Sequence, residues 1–135
     1  MDKQYTIDDL IKIVEVLRGD NGCPWDKVQT HQSIKKNMIE EAYEAIDALD
    51  NGSDDMFANE LGDVLLQVVF HAQLAKERDA FDFNTVLNEI CNKLISRHTH
   101  VFGDDKAKNA DEALESWERN KKKEKNLKSD TEVLC

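Results

Sequence analysis

Apolar residues recur at helical spacing along five segments of the chain, and clusters of turn-forming residues separate these segments. In the first segment Ile7, Leu10 and Val14 fall on one helical face, and Thr6 stands where an N-cap is expected. Turn residues at 19–22 and 51–53 interrupt the pattern. The pattern predicts helices over about Thr6–Arg18, Thr30–Asp50, Asp55–Arg78, Asn84–His98 and Ala110–Lys123.

The same spacing predicts which side chains face the core. In the second helix these are Ile39, Ala42, Ile46 and Leu49, and in the fourth they are Val86, Leu87, Ile90, Leu94 and Ile95. The third segment is apolar on nearly every side between Val64 and Phe70, so it must be buried on several sides. A domain this small can scarcely bury such a helix alone, which suggests that a partner subunit covers part of it.

Composition narrows the class of protein. A chain of 135 residues with one proline and five glycines favours a single all-α domain. We expect this domain to occupy residues 1–125 and a charged, flexible tail to occupy residues 126–135. The chain shows no apolar leader and no membrane span, and its three scattered cysteines (Cys23, Cys91 and Cys135) favour reduced thiols and a cytoplasmic location.

The net charge of −10 argues against binding to a nucleic-acid polymer or to an anionic membrane. A small polyphosphate remains compatible with this charge if Mg²⁺ neutralises it.

Five carboxylates form two short groups, with Glu40, Glu41 and Glu44 in one and Glu60 and Asp63 in the other. Residues three or four apart are neighbours on a helix, and like charges at that spacing are destabilising. The short connection makes the two helices antiparallel neighbours, so the two groups can face each other. Each acid taken alone is compatible with a solvated face, but the set indicates a site for a divalent cation.

The donor type selects the metal. Carboxylate oxygens favour Mg²⁺, with Mn²⁺ as a substitute. A di-iron carboxylate site of the ferritin type uses Glu-x-x-His pairs, and no glutamate in this chain has a histidine three residues later. The sequence therefore disfavours redox chemistry.

Two further groups suggest a phosphate substrate. Lys93 and Arg97 are four residues apart on one helical face, where they form either a phosphate clamp or a solvated basic edge. Trp117 stands in a polar setting beside Arg119 and Lys121, so it is either a packed side chain or a partly exposed stacking surface.

Together these motifs resemble the MazG nucleoside triphosphate pyrophosphohydrolases over residues of about 7 to 125. The acidic pattern E-E-x-x-E followed by E-x-x-D carries the resemblance, and the flanking segments strengthen it: GCPWD at 22–26, ELGDVLLQVVFHAQLA at 60–75, FDF at 81–83, KLISRHTHVFGD at 93–104 and SWERNK at 116–121. The resemblance implies an all-α, four-helix-bundle-like fold that assembles as a homodimer or a dimer of dimers. It also implies Mg²⁺-dependent hydrolysis of a nucleoside triphosphate to the monophosphate and pyrophosphate, in the housecleaning of nucleotide pools.

The resemblance also implies roles for individual residues. The metal ligands would be Glu41, Glu44, Glu60 and Asp63, Glu40 would orient or deprotonate water, and the substrate contacts would be Lys93, Arg97, Trp117 and Lys121. The chain departs from the family at Ser96, where a second arginine is frequent, and at Thr99, where proline is frequent. Two alternatives remain, namely a nucleotidase specialised for one nucleotide such as dUTP or dCTP, and a helical dimer that binds nucleotide or a partner protein without catalysis.

Overall fold

A computed structural model describes the backbone of residues 3–134 and the side chains of residues 3–126. Within that range the chain is helical and contains no strand, which confirms the predicted all-α class. The helices are α1 (Ile7–Leu17), α2 (Pro24–Lys27), α3 (Lys35–Asn51), α4 (Asp54–Glu77), α5 (Phe83–Arg97), α6 (Thr99–Phe102) and α7 (Ala110–Leu134). The chain divides into two compact units, Met1–Thr85 and Val86–Cys135.

Local chemistry fixes both ends of α1. At its start the Thr6 hydroxyl accepts from the Asp9 amide at 3.3 Å, and the Asp9 carboxylate accepts from the Thr6 amide at 2.8 Å. At its end the chain folds back so that the Cys23 amide donates to the Leu17 carbonyl at 2.8 Å. A Cβ at Gly22 would overlap the same carbonyl oxygen, so this turn accepts only glycine.

In the first unit, α3 and α4 form a helical hairpin, as the short predicted connection required. Ser53 caps α4 by accepting from the Met56 amide at 3.2 Å. Ala45 and Ala48 are buried on α3, and their small side chains let the two helix backbones approach closely. The hairpin therefore sets the acidic residues of α3 beside those of α4.

The core of the first unit lies between α1 and the C-terminal half of α4. Its buried members are Val14, Ile34, Val69, Phe70 and Leu74, and its partly buried members are Leu10, Ile11, Leu66 and Phe83. The nearly continuous apolar run of α4 is buried from Val69 onward, while Leu61 and Leu65, closer to its start, are exposed.

Two predicted core faces are wrong for the single chain. On α3, Ile46 and Leu49 are 54% and 55% exposed, and the buried positions are the neighbouring alanines Ala45 and Ala48. On α5, Ile90 is exposed, as are Leu87, Leu94 and Ile95. The helical period identified apolar faces correctly, but these residues are exposed in the part of the chain that the structure describes.

Arg18 and a pair of histidines tie the segment before α3 to the C-terminal end of α4. The Arg18 guanidinium donates to the Glu77 carboxylate and also to backbone carbonyls of the segment. His31 and His71 stack with their Nδ1 atoms 2.9 Å apart, and Arg78 Nε donates to His31 Nε2 at 3.2 Å. Since His31 Nε2 accepts from Arg78, His31 carries its proton on Nδ1 and donates it to His71.

Two helix boundaries differ from expectation by more than one residue, and two connecting segments contain short helices. Helix α3 begins at Lys35 rather than Thr30, because Thr30 and Ser33 form a turn in which each amide donates to the other's hydroxyl. Short helices occupy parts of two segments expected to be loops, at Pro24–Lys27 and Thr99–Phe102. Helix α7 continues past the expected end at Lys123 and enters the segment expected to be a tail.

In the second unit, α6 packs against α7 through a polar contact centred on Thr99. The Thr99 hydroxyl lies 3.1 Å from the buried Ser116 hydroxyl and accepts from Asn120 Nδ2 at 3.0 Å. Thr99 thus connects α6 to α7.

Cys23 and Cys91 are free thiols, as expected, and Cys135 lies outside the described residues. None of the helices in the described part of the chain combines the length and the apolar character that crossing a bilayer requires.

Candidate metal centre and phosphate-binding residues

The hairpin of α3 and α4 brings three of the predicted ligands together. Glu41, Glu60 and Asp63 each offer one carboxylate oxygen, and these oxygens all lie within 4.8 Å of one another. Glu60 and Asp63 share a face because they are three residues apart on α4, and Glu41 reaches them from α3. Two helices thus contribute to one group of oxygens, as the acidic pattern predicted.

Two of these carboxylates have an unusual environment. The Oε2 atoms of Glu41 and Glu60 are buried, and neither has a hydrogen-bond partner within the described residues. Partial burial, followed by repulsion from Glu44, raises the pKa of Glu41 and also the pKa of Glu60. Buried carboxylate oxygens without a donor are costly, and a cation is the partner that would satisfy them.

Glu44 belongs to the same neighbourhood although its side chain is exposed. Its negative charge contributes to the raised pKa of both Glu41 and Glu60. Glu40 is exposed on α3, and it is not one of the acids whose oxygens meet among the residues described. The role of Glu40 in orienting or deprotonating water stays a prediction.

Among the side chains of residues 3–126, no lysine or arginine neutralises these acids. The ion pairs formed in that range involve other carboxylates, namely Glu15, Glu77 and Glu124. The donor set is therefore hard oxygen, negatively charged and uncompensated, which fits Mg²⁺ or Mn²⁺. We call the set of Glu41, Glu44, Glu60 and Asp63 the acidic group.

The second unit brings most of the predicted phosphate-binding residues together. Arg97 lies over the Trp117 ring at 5.5 Å from the ring centroid, and the Lys121 ammonium lies 4.9 Å from the same centroid. Lys93 is exposed on α5, one turn before Arg97, and its charge contributes to the lowered pKa of Glu124. Trp117 is thus a partly buried support for two cations.

Sequence reasoning missed Glu124, which accepts from Arg97 Nε at 3.0 Å and from the Ser96 hydroxyl. The available signal was its spacing on α7, since Glu124 follows Lys121 by three residues and Trp117 by seven. That spacing places all three on one helical face, beside which Arg97 lies.

These features define a class of protein: an all-α protein that carries a group of carboxylates without counter-charges on a helical hairpin. The family model described as the MazG nucleotide pyrophosphohydrolase domain matches residues 29–102, and the chain belongs to that family. The match includes all five acids as well as Lys93 and Arg97, whereas Trp117 and Lys121 lie beyond it. The resemblance inferred from the motifs is thereby confirmed.

Named relatives agree with the family. The chain is 48% identical over 126 residues to the nucleoside triphosphate pyrophosphohydrolase/pyrophosphatase MazG of Thermotoga maritima, a match that covers 93% of this chain and 48% of that protein. It is 46% identical over 129 residues to the nucleoside triphosphate pyrophosphohydrolase of Escherichia coli K12, which covers 95% of this chain and 49% of the relative. The chain thus spans about half the length of these relatives.

Proposed function

We propose that this chain hydrolyses nucleoside triphosphates to the monophosphate and pyrophosphate, with Mg²⁺ held by the acidic group. The observation that carries the proposal is the convergence of carboxylate oxygens from two helices, where Glu41 and Glu60 each have a buried oxygen without a donor among the described residues. The family and the printed names of its relatives support the same reaction.

Glu41, Glu44, Glu60 and Asp63 would hold the cation, and Mn²⁺ would substitute for Mg²⁺ because both prefer oxygen ligands. When bound, the cation supplies neutralisation of phosphate charge and polarisation of a phosphoryl oxygen. The fit rests on the uncompensated negative charge of the donor set.

The remaining residues act on substrate and water. Glu40 orients a water and takes its proton as the water oxygen bonds to the α-phosphorus. The bond between the α-phosphorus and its bridging oxygen to the β-phosphate breaks, and pyrophosphate leaves. Lys93 and Arg97 pair with the triphosphate charge, and Trp117 and Lys121 contact the nucleotide end of the substrate.

Self-association belongs to the same proposal. Helix α3 carries an exposed apolar stripe at helical spacing, formed by Ile39, Tyr43, Ile46 and Leu49. Apolar surface of this extent is rare on a monomer and is typical of an interface. A second copy of the chain is the proposed occupant, in a homodimer or a dimer of dimers in the cytoplasm, where its substrates are found. Residues 1–125 form the proposed catalytic domain.

The test is incubation of the purified protein with canonical and modified nucleoside triphosphates and Mg²⁺, followed by separation of the products. We expect equimolar monophosphate and pyrophosphate from the wild type, and none from Glu41→Gln. The matched control is Asp50→Asn, which changes an exposed acid on the same helix and should keep wild-type turnover.

Three results would contradict the proposal: release of orthophosphate, full activity of Glu41→Gln, or neither turnover nor a Mg²⁺-dependent rise in melting temperature. The last of these would favour a helical dimer without catalysis. The same panel measures whether one nucleotide, such as dUTP or dCTP, is preferred.

A further inference from the structure

A single carboxylate on α7 binds two consecutive residues of α5. Arg97 Nε donates to Glu124 Oε2 at 3.0 Å, and the Ser96 hydroxyl donates to Glu124 Oε1. The side chains are mostly buried, with 16% of Arg97 and 32% of Glu124 exposed. Each oxygen of Glu124 thus has its own donor, so the carboxylate is held at both ends.

The contact uses only the Nε donor of the guanidinium. Arginine carries five N–H donors, one on Nε and four on the two terminal nitrogens. Within the described residues, Arg97 makes its side-chain hydrogen bond from Nε, so the terminal nitrogens keep their donors. These nitrogens form the fork that binds a phosphate through two parallel hydrogen bonds.

The aromatic ring beneath Arg97 restricts the remaining freedom of the guanidinium. Its Cζ atom lies 5.5 Å from the Trp117 centroid, which favours a guanidinium held against the ring face. Glu124 restricts rotation of the guanidinium within its plane, and Trp117 restricts tilting. An arginine held from two directions loses less conformational freedom when it binds an anion.

We propose that Glu124 is a positioning residue that holds Arg97 through Nε so that its terminal nitrogens are presented to the triphosphate. Ser96 supports Glu124 by occupying the second carboxylate oxygen. This inference rests on the proposed function, because the phosphate-binding role of Arg97 is part of that proposal.

The charge state of Glu124 suits this role. The hydrogen bond from Ser96 lowers the pKa of Glu124, as does the contact with Arg97. The carboxylate therefore stays ionised and accepts hydrogen bonds on both oxygens. A carboxylate beside a phosphate-binding arginine also has an opposing effect, since it cancels positive charge that would attract the substrate. The experiment must separate positioning from this competition.

The experiment compares Glu124→Ala, which removes the acceptor, with Glu124→Gln, which keeps an acceptor oxygen but removes the charge. We measure kcat/KM for the best substrate of the panel and the affinity for inorganic tripolyphosphate with Mg²⁺. Positioning predicts a fall of about tenfold in both quantities for Glu124→Ala, the size seen when a residue that orients a ligand is removed. Glu124→Gln should lie between this variant and the wild type.

A double-mutant cycle distinguishes positioning from a general structural role. In an Arg97→Ala background, Glu124→Ala should cause no further loss, because Glu124 acts through Arg97. Ser96→Ala provides a second and milder perturbation, with a smaller fall in the same direction, should Glu124→Ala fold poorly. Glu118→Ala is the matched control, since it removes an exposed glutamate from the same helix.

The outcomes are distinct. A higher kcat/KM in Glu124→Ala overturns the proposal in favour of charge competition. An equal loss with and without Arg97 overturns it in favour of a structural role. If the wild type neither hydrolyses the panel nor binds tripolyphosphate, the proposed function and this inference both fail. If the wild type is active while Glu124→Ala is unchanged, only this inference fails.

Discussion

Replacing Arg18 by methionine should destabilise the first unit strongly. The Arg18 side chain is 9% exposed and joins three parts of the unit. Nε and Nη2 donate to the two oxygens of Glu77 at 2.7 and 2.8 Å, and Nη1 donates to the carbonyl of Gln29 at 3.1 Å and to that of Asp26. Methionine keeps much of the apolar contact with Phe70 but removes every donor.

The magnitude follows from the environment of each partner. Glu77 is 38% exposed, so water replaces part of what it loses, and the ion pair contributes about 1 kcal/mol. The two part-buried carbonyls lose a charged donor, and with partial access to water this costs about 2 kcal/mol together. The free energy of unfolding should therefore fall by about 3 kcal/mol. For a chain of this size that corresponds to roughly 10 °C in melting temperature.

Urea denaturation followed by far-UV circular dichroism measures this change. Arg119→Met is the control, because it removes an exposed arginine from α7 and should change stability by less than about 0.5 kcal/mol. Glu77→Gln and the double variant complete a cycle, which should show coupling of about 1 kcal/mol between the two side chains.

A loss for Arg18→Met no larger than that for Arg119→Met would refute the reasoning, because Arg18 would then not hold the segment before α3. Additive effects of the Arg18 and Glu77 substitutions would refute the ion-pair part alone.

Three other perturbations test separate features of the molecule. Glu60→Gln should raise the melting temperature of the metal-free protein, since it removes repulsion within the acidic group, and should reduce the rise caused by Mg²⁺. Burial, followed by the charge of His31, lowers the pKa of His71, so the unfolded chain binds a proton at this histidine more readily than the folded chain. The free energy of unfolding should therefore decline as pH falls below about 6.5, and His71→Asn should make that decline smaller. Ile46→Asp should convert an oligomer to a 15.5 kDa monomer in light scattering.

Each of these has a result that contradicts it. A lower metal-free melting temperature for Glu60→Gln would show that the acids do not repel one another in the fold. An unchanged pH profile for His71→Asn would remove the histidine pair as its cause. An unchanged mass for Ile46→Asp, with circular dichroism confirming the fold, would exclude this face of α3 from the interface.

The sequence pattern predicted those features that residues close together in the chain determine. The N-cap at Thr6 was readable because it depends on residues within one turn. The meeting of Glu41 with Glu60 was predictable because the turn between α3 and α4 is too short for any other arrangement. In these places sequence separation is small, and few conformations compete.

Periodicity failed where burial depends on what lies opposite a helix. Ile46 and Ile90 have the spacing of core residues, yet both are exposed in the single chain. A helical period reports that a face is apolar and does not report whether the same chain covers it. The C-terminal end of α7 was missed for a related reason, because its charged residues support a helix without forming an apolar stripe.

The acidic group and Glu124 differ in how they are detected, and the difference is physical. Like charges at helical spacing beside an apolar run conflict with local stability, so Glu41 and Glu60 stand out from the amino-acid sequence alone. Glu124 has no unfavourable interaction with its sequence neighbours, because a glutamate in a lysine-rich helix is ordinary. Its partner Arg97 is 27 residues away. A charged residue whose repulsion is not offset by neighbouring residues indicates a ligand. A residue whose partner is a distant side chain reveals its role only when the helices are placed. The contact between Glu124 and Arg97 therefore needs the fold, whereas the acidic group does not.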